Sequence, residues 1–90
     1  MLVHKRSREL AVAELKVWRI PISDHYPDGI KFSLFLVAQK TGETLIGIDN
    51  HQPKGPHLHL GRKEVKYFYR GPDRLVEDFW RRVRKGGFEL

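Results

Sequence analysis

The stretch Ile30–Ala38, with the sequence IKFSLFLVA, decides the fold. Apolar residues occupy both of its alternating faces, with Ile30, Phe32, Leu34 and Leu36 on one and Phe35 and Val37 on the other. A strand that is apolar on most of both faces is typical of the middle of a sheet, where each face is covered. We therefore predict that this stretch is a central strand.

Runs of alternating polar and apolar residues on both sides of this strand predict the rest of the sheet. They cover residues 9–20, 44–49, 57–60 and 64–70. The connections between them are short, which favours antiparallel neighbours. In the first run the apolar parity changes between Val12 and Leu15, so we expect a β-bulge near Ala13.

The C-terminal part of the chain predicts one amphipathic helix between Pro72 and Gly86. Asp73 is expected to cap its first turn, and Gly86 ends it. Its apolar face consists of Leu75, Val76, Phe79, Trp80 and Val83. A stripe with this spacing packs on a core far more often than it binds a ligand. The predicted fold class is α+β, an antiparallel meander of four to five strands with one C-terminal helix packed on a sheet face.

Length and composition restrict the class of protein. The chain of 90 residues is expected to form a single domain, with residues 1–8 as a basic N-terminal arm. The absence of cysteine excludes disulfides and thiolate zinc sites. No apolar run reaches transmembrane length, and none follows the basic N-terminus as it would in a signal peptide. We therefore expect a cytoplasmic protein without a membrane partner.

The formal charge of +6 indicates a polyanionic or acidic partner. The positive charge is clustered near residues 5–8 and 81–85. RNA, DNA and an acidic protein are all compatible with this pattern, and a solvated basic surface without a specific partner is the alternative.

The segment Asp49–His59, with the sequence DNHQPKGPHLH, holds the candidate site. His57 and His59 are two residues apart, so in a strand both imidazoles lie on one face. Metal-free RNA cleavage needs a base, an acid and cations for the phosphate. Histidine suits both proton-transfer roles near neutral pH. We predict His57 and His59 as the acid–base pair and Asp49 as the group that orients them.

The predicted phosphate and nucleic-acid contacts lie around this segment. Lys54 and Arg62 supply charge beside the histidines, and Tyr67 can stack on a base. The full set of predicted binding residues is Lys54, Arg62, Asn50, Tyr67, Arg81 and Arg82. Two of these have structural alternatives, because an Asx residue at a strand end often forms a turn and a tyrosine is often half-buried packing.

Two other functions remain open. A His-x-His pair can supply two ligands to zinc, with Asp49 or His51 as the third. Such pairs are common on strands, so we favour a site without metal or cofactor. The other alternative is a noncatalytic nucleic-acid- or protein-binding module that uses its basic helix and N-terminal arm, with affinity that falls steeply with salt.

The order of motifs resembles a known family. The segments that carry the resemblance are Phe32–Leu34, Gly47–Asn50, Lys54–His59, Leu75 and Asp78–Phe79. Together they resemble the TumE family of toxin components from prokaryotic toxin–antitoxin modules, over roughly residues 10–83. Asp49, Asn50, His57 and His59 are carried over as motif positions, without a mechanism. The chain departs from the pattern in having a basic start with little before the first strand.

The resemblance implies a toxic activity that acts on RNA, and a cognate helix-turn-helix antitoxin as partner. Combined with the residues, it leads us to expect a toxin that cleaves RNA by a metal-independent reaction. The edge strands of so small a sheet could also pair across a homodimer.

Overall fold

The computed structural model describes residues 2–5 and 10–89 of the chain, with side chains for residues 10–88. The elements within these residues are β1 (Leu2–Lys5), β2 (Leu10–Arg19), β3 (Ile30–Ala38), β4 (Thr44–Asp49), β5 (His57–Leu60), β6 (Lys63–Lys66), α1 (Pro72–Lys85) and β7 (Phe88–Glu89). The strands form one antiparallel sheet in the order β6-β5-β4-β3-β2-β1-β7.

The α+β meander with one C-terminal helix is therefore confirmed. Its five predicted strands correspond to β2 to β6, although the fifth ends at Lys66 and does not reach residue 70. Strand β3 lies in the middle between β2 and β4. Two short strands, β1 and β7, extend the sheet beyond the predicted set. Strand β1 takes up the part of the predicted N-terminal arm that the structure describes, while residues 1 and 6–8 of that arm lie outside the described residues.

The core lies between one sheet face and α1. Phe32, Leu34 and Leu36 of β3 are buried on this face, and Leu75, Phe79 and Val83 of α1 are buried against it. Burying a side chain of this size stabilises the fold by about 1.5–3 kcal/mol. The predicted apolar stripe of the helix thus packs on the core, with Val76 and Trp80 partly buried at its margin.

The predicted bulge near Ala13 is wrong. Strand β2 pairs with β3 residue by residue from Ala11 opposite Ala38 to Arg19 opposite Ile30, without a shift. Small residues, Ala11 and Ala13, face the core, where they are buried. The larger Val12 lies on the other face and is partly exposed. The larger apolar residue therefore did not mark the face that is covered by the core. The irregularity in the sheet lies instead between β3 and β4, after Leu36.

The start of α1 also differs from the expectation. The residue before the helix is Gly71, with φ of 104°, and no side chain caps the first turn. Pro72 occupies the first position, where its missing N–H costs nothing. Asp73 lies within the first turn, so it interacts with the positive end of the helix dipole and is not the cap.

The sheet face opposite α1 is covered by no helix among the described residues, and we call it the open face. Registry with the buried positions of β3 places several polar residues of β2 to β6 there, together with Phe35 and Gly47: Glu14, Lys16, Ser33, Asp49, His57, His59 and Glu64. Among the described residues, no helix is long and apolar enough to cross a membrane.

Candidate functional site

Three neighbouring strands assemble the candidate site on the open face. Asp49 of β4 lies opposite His57 of β5, and His59 lies opposite Glu64 of β6. The predicted common face of His57 and His59 is confirmed, because Leu58 between them is buried on the core side. We call Asp49, His57, His59 and Glu64 the open-face cluster.

His57 has a close polar neighbour at each ring nitrogen. Its Nδ1 lies 2.6 Å from the carbonyl oxygen of Gly55, and its side chain is 11% exposed. A carbonyl oxygen can only accept a hydrogen bond, so Nδ1 carries the proton and donates it. The other nitrogen, Nε2, lies 2.9 Å from Asp49 Oδ1 and 3.3 Å from Glu64 Oε1. The imidazole therefore directs Nε2 into the centre of the cluster.

The second imidazole completes the cluster around Asp49. His59 Nε2 lies 3.6 Å from Asp49 Oδ2, and His59 Nδ1 lies 3.7 Å from Glu64 Oε1. The two histidine rings meet edge to face with their centroids 4.6 Å apart. Among the described residues, neither Asp49 Oδ1 nor His59 Nε2 has a hydrogen-bond partner, although both atoms are buried.

Asp49, His57 and His59 can hold a metal ion. Each offers one ligand atom, and the three atoms lie within 4.8 Å of one another. Of the two residues suggested as a third ligand, the structure brings Asp49 into the group, whereas His51 is exposed in the loop.

Lys54 joins the cluster through Glu64. Its Nζ lies 2.9 Å from Glu64 Oε2 and 3.1 Å from Oε1. The hydrogen bond from Lys54 holds the pKa of Glu64 below its ordinary value, so this carboxylate is charged at neutral pH. Lys54 also lines a cleft of about 240 Å³ together with Asp49, His51 and His57. The cleft gives a ligand access to the cluster beside a cation.

Asn50 has a structural position next to the cluster. Its Oδ1 accepts a hydrogen bond of 2.9 Å from the Phe32 amide, and its Nδ2 donates one of 2.9 Å to the Ile30 carbonyl. The side chain is buried, and both ends of its amide are occupied by the backbone of β3. This tertiary clamp, which is not a local Asx turn, fastens the end of β4 that carries Asp49.

Three of the predicted binding residues lie on the helix side of the sheet. Tyr67 donates a hydrogen bond of 2.7 Å to Asp78 of α1, and burial together with this bond raises the pKa of Tyr67 to about 12. Arg81 and Arg82 line a groove of about 350 Å³ between α1 and the chain after β6. Arg62 is exposed in the turn between β5 and β6. The structure therefore brings Lys54 to the histidines but places Tyr67, Arg81 and Arg82 elsewhere.

Three residues of the site were not found from the sequence. Glu64 enters the cluster only through the register of β5 with β6. Phe35 packs on His59 with ring centroids 5.5 Å apart, and it occupies the space above Gly47. A glycine inside a strand often marks such a close approach, and this was the available signal.

Comparison with known proteins identifies one family. A family model described as "Toxin TumE" matches residues 3–86, which is nearly the whole chain. Searches of curated proteins and of solved structures find no match.

Proposed function

The chain belongs to the TumE toxin family, and on that premise we propose that it acts by cleaving RNA phosphodiester bonds at the open-face cluster. Membership makes it the toxin of a toxin–antitoxin system, with an antitoxin as partner. The observation that supports the chemical step is the convergence of Asp49, His57 and His59 within 4.8 Å, beside a cleft that contains Lys54.

The groups in the cluster match the needs of phosphodiester cleavage. The reaction requires removal of a proton from the attacking hydroxyl, protonation of the leaving oxygen and stabilisation of negative charge on the phosphate. Lys54 supplies a positive charge at the rim. In a metal-free reaction, His59 would be the better proton carrier, because its side chain is 21% exposed and that of His57 is 11% exposed. Asp49 lies between them as the orienting carboxylate.

RNA cleavage by the purified protein tests this proposal. We expect the wild-type protein to cleave a mixed RNA pool and Asp49→Asn and His59→Ala to lose about 100-fold or more in rate. His25→Ala is the matched control, because His25 is exposed in the loop between β2 and β3. Circular dichroism verifies that each variant is folded. Full cleavage by His59→Ala, or no cleavage of any RNA by the wild type, would overturn the proposal.

The partners form part of the same proposal. A helix-turn-helix antitoxin and a cytoplasmic location are consistent with a toxin that acts on cellular RNA. A homodimer stays a prediction. Pairing through the β6 edge is discouraged, because that strand has the sequence KEVK, all of it exposed.

A noncatalytic nucleic-acid-binding module is the second candidate. It is favoured by the groove beside α1, which is lined by five cationic residues: Lys66, Arg70, Arg81, Arg82 and Lys85. Reversing the charge of Arg81 and Arg82 should abolish RNA binding in this case and flatten its salt dependence. Under the cleavage proposal, the same double variant keeps its chemistry and Asp49→Asn loses it.

A further inference from the structure

We infer that Asp49, His57 and His59 form a binding site for a divalent transition-metal ion, with His57 Nε2, His59 Nε2 and an oxygen of Asp49 as ligands. Two imidazoles and one carboxylate are a ligand set that suits Zn²⁺ and its first-row neighbours. Metal binding itself does not depend on the proposed RNA cleavage; only its catalytic consequence rests on that proposed function.

The hydrogen bond of His57 to Gly55 is the first support. It fixes one proton on Nδ1, so the lone pair of the neutral form is on Nε2, the nitrogen that faces the cluster. Metal-binding histidines characteristically donate their other ring N–H to a carbonyl or carboxylate, which sets the tautomer and the ring orientation. Gly55 supplies that acceptor from the loop before β5.

The contact between His57 and Asp49 is the second support. A lone pair on Nε2 would lie 2.9 Å from Asp49 Oδ1, so two acceptors would face each other. With the proton on Nδ1 alone this contact is not a hydrogen bond, and Asp49 Oδ1 has no other hydrogen-bond partner among the described residues. A cation held by both atoms removes the repulsion and supplies the missing partner.

His59 provides the third support. Its Nε2 is buried without a hydrogen-bond partner among the described residues, 3.6 Å from the second oxygen of Asp49. Its Nδ1 faces Glu64 Oε1 at 3.7 Å, so this carboxylate can accept the Nδ1 proton when a cation takes the lone pair of Nε2. One ion between the three side chains would therefore satisfy both orphaned atoms at once.

Three protein ligands leave coordination positions open. Closed structural zinc sites use four protein ligands, whereas sites with three keep a place for water or substrate. The cleft with Lys54 opens beside Asp49 and His57, so a phosphate oxygen can reach the same place. A bound ion would polarise that oxygen. The site is thus of the catalytic type.

Titration of chelator-treated full-length protein with Zn²⁺ tests the inference. Isothermal calorimetry should give one saturable equivalent, and Co²⁺ in its place should give the visible absorption of a low-symmetry site. Asp49→Asn and His59→Ala should each weaken binding at least tenfold. His25→Ala and His51→Ala, which keep the three ligands, should bind like the wild type. Imidazole ¹⁵N spectra of the wild type should show Nδ1 of His57 protonated and its Nε2 shifting on addition of Zn²⁺.

The outcomes separate the metal site from the proposed function. No saturable binding, equal loss in His51→Ala, or a doubly protonated His57 whose spectrum is unchanged by Zn²⁺ would each overturn the site. If the chelator-treated protein still cleaves RNA and binds no metal, the metal site is wrong and the proposed RNA cleavage stands. If the protein binds one equivalent of Zn²⁺ but cleaves no RNA, the metal site stands and the proposed RNA cleavage is wrong.

Discussion

The ring of Phe35 lies over Gly47, so close that a Cβ atom on residue 47 would come within 2.4 Å of Phe35 Cε1. The two residues are direct partners across β3 and β4 on the open face. Because residue 47 has no side chain, the Phe35 ring can lie directly over the strand. There it forms the surface on which the His59 imidazole packs.

Gly47→Ala should therefore destabilise the protein, because the Phe35 ring must move. We expect a loss of about 1–3 kcal/mol in the free energy of unfolding, measured by urea denaturation. In a Phe35→Ala background the same substitution should be neutral or stabilising, since alanine is otherwise preferred to glycine within a strand. A Gly47→Ala cost that is the same in both backgrounds would contradict this explanation.

Removal of the Asn50 clamp should cost more than removal of an exposed amide. Asn50→Ala leaves the Phe32 amide and the Ile30 carbonyl without their partner, so we expect a loss of about 2–4 kcal/mol in unfolding free energy. Gln52→Ala is the matched control, because Gln52 makes a single exposed bond to the His25 carbonyl. Equal costs for the two variants would show that the clamp is not the source of the stability.

Asp78 predicts a specific pH dependence of stability. Burial raises the pKa of this carboxyl, but the hydrogen bonds from Tyr67 and Arg70 outweigh burial and hold the pKa below its ordinary value. A lowered pKa in the folded state stabilises the protein above the unfolded-state pKa, and this stabilisation is lost as the pH falls through the folded-state pKa.

Asp78→Asn should accordingly destabilise the protein by about 1–3 kcal/mol at pH 7. The difference from wild type should be constant down to about pH 5 and should shrink below about pH 4, near the ordinary pKa of aspartate. Urea unfolding at pH 7, 5 and 3 measures it. A difference that is still complete at pH 3 would exclude Asp78 as the titrating group.

Most of the fold followed from alternation along the chain. The apolar faces of Ile30–Ala38 identified the central strand, and the helical spacing from Leu75 to Val83 identified the face that covers it. The bulge was wrong because alanines, and not the larger Val12, face the core. Strand β7 was not predicted because it has only two residues and pairs with β1 from the other end of the chain. Strand β1 forms a local hairpin with β2, but its residues were interpreted as part of a basic arm.

Only the part of the candidate site that lies on a single strand could be predicted from the sequence. The two-residue spacing of His57 and His59 placed both rings on one face. The position of Glu64 opposite His59 depends on strand register, which is set by pairing and turn geometry. The separation of Tyr67 from the histidines likewise arises because Tyr67 bonds to Asp78 on α1, on the other side of the sheet.

Lys54 and Glu64 give a last prediction, which separates a phosphate contact from a structural ion pair. The pair is exposed, with side-chain exposures of 64% and 40%, so Lys54→Ala should leave the melting temperature unchanged. If Lys54 contacts RNA phosphate, the variant should bind RNA more weakly, and the slope of log affinity against log salt should fall by about 1. Lys40→Ala is the matched control, because Lys40 is an exposed lysine in the β3–β4 turn.

Carboxyl NMR adds an independent readout, because loss of the Lys54 hydrogen bond should raise the pKa of Glu64. A salt slope identical in the Lys54 and Lys40 variants, with the Glu64 pKa raised only in the former, would leave Lys54 as a structural partner of Glu64 alone.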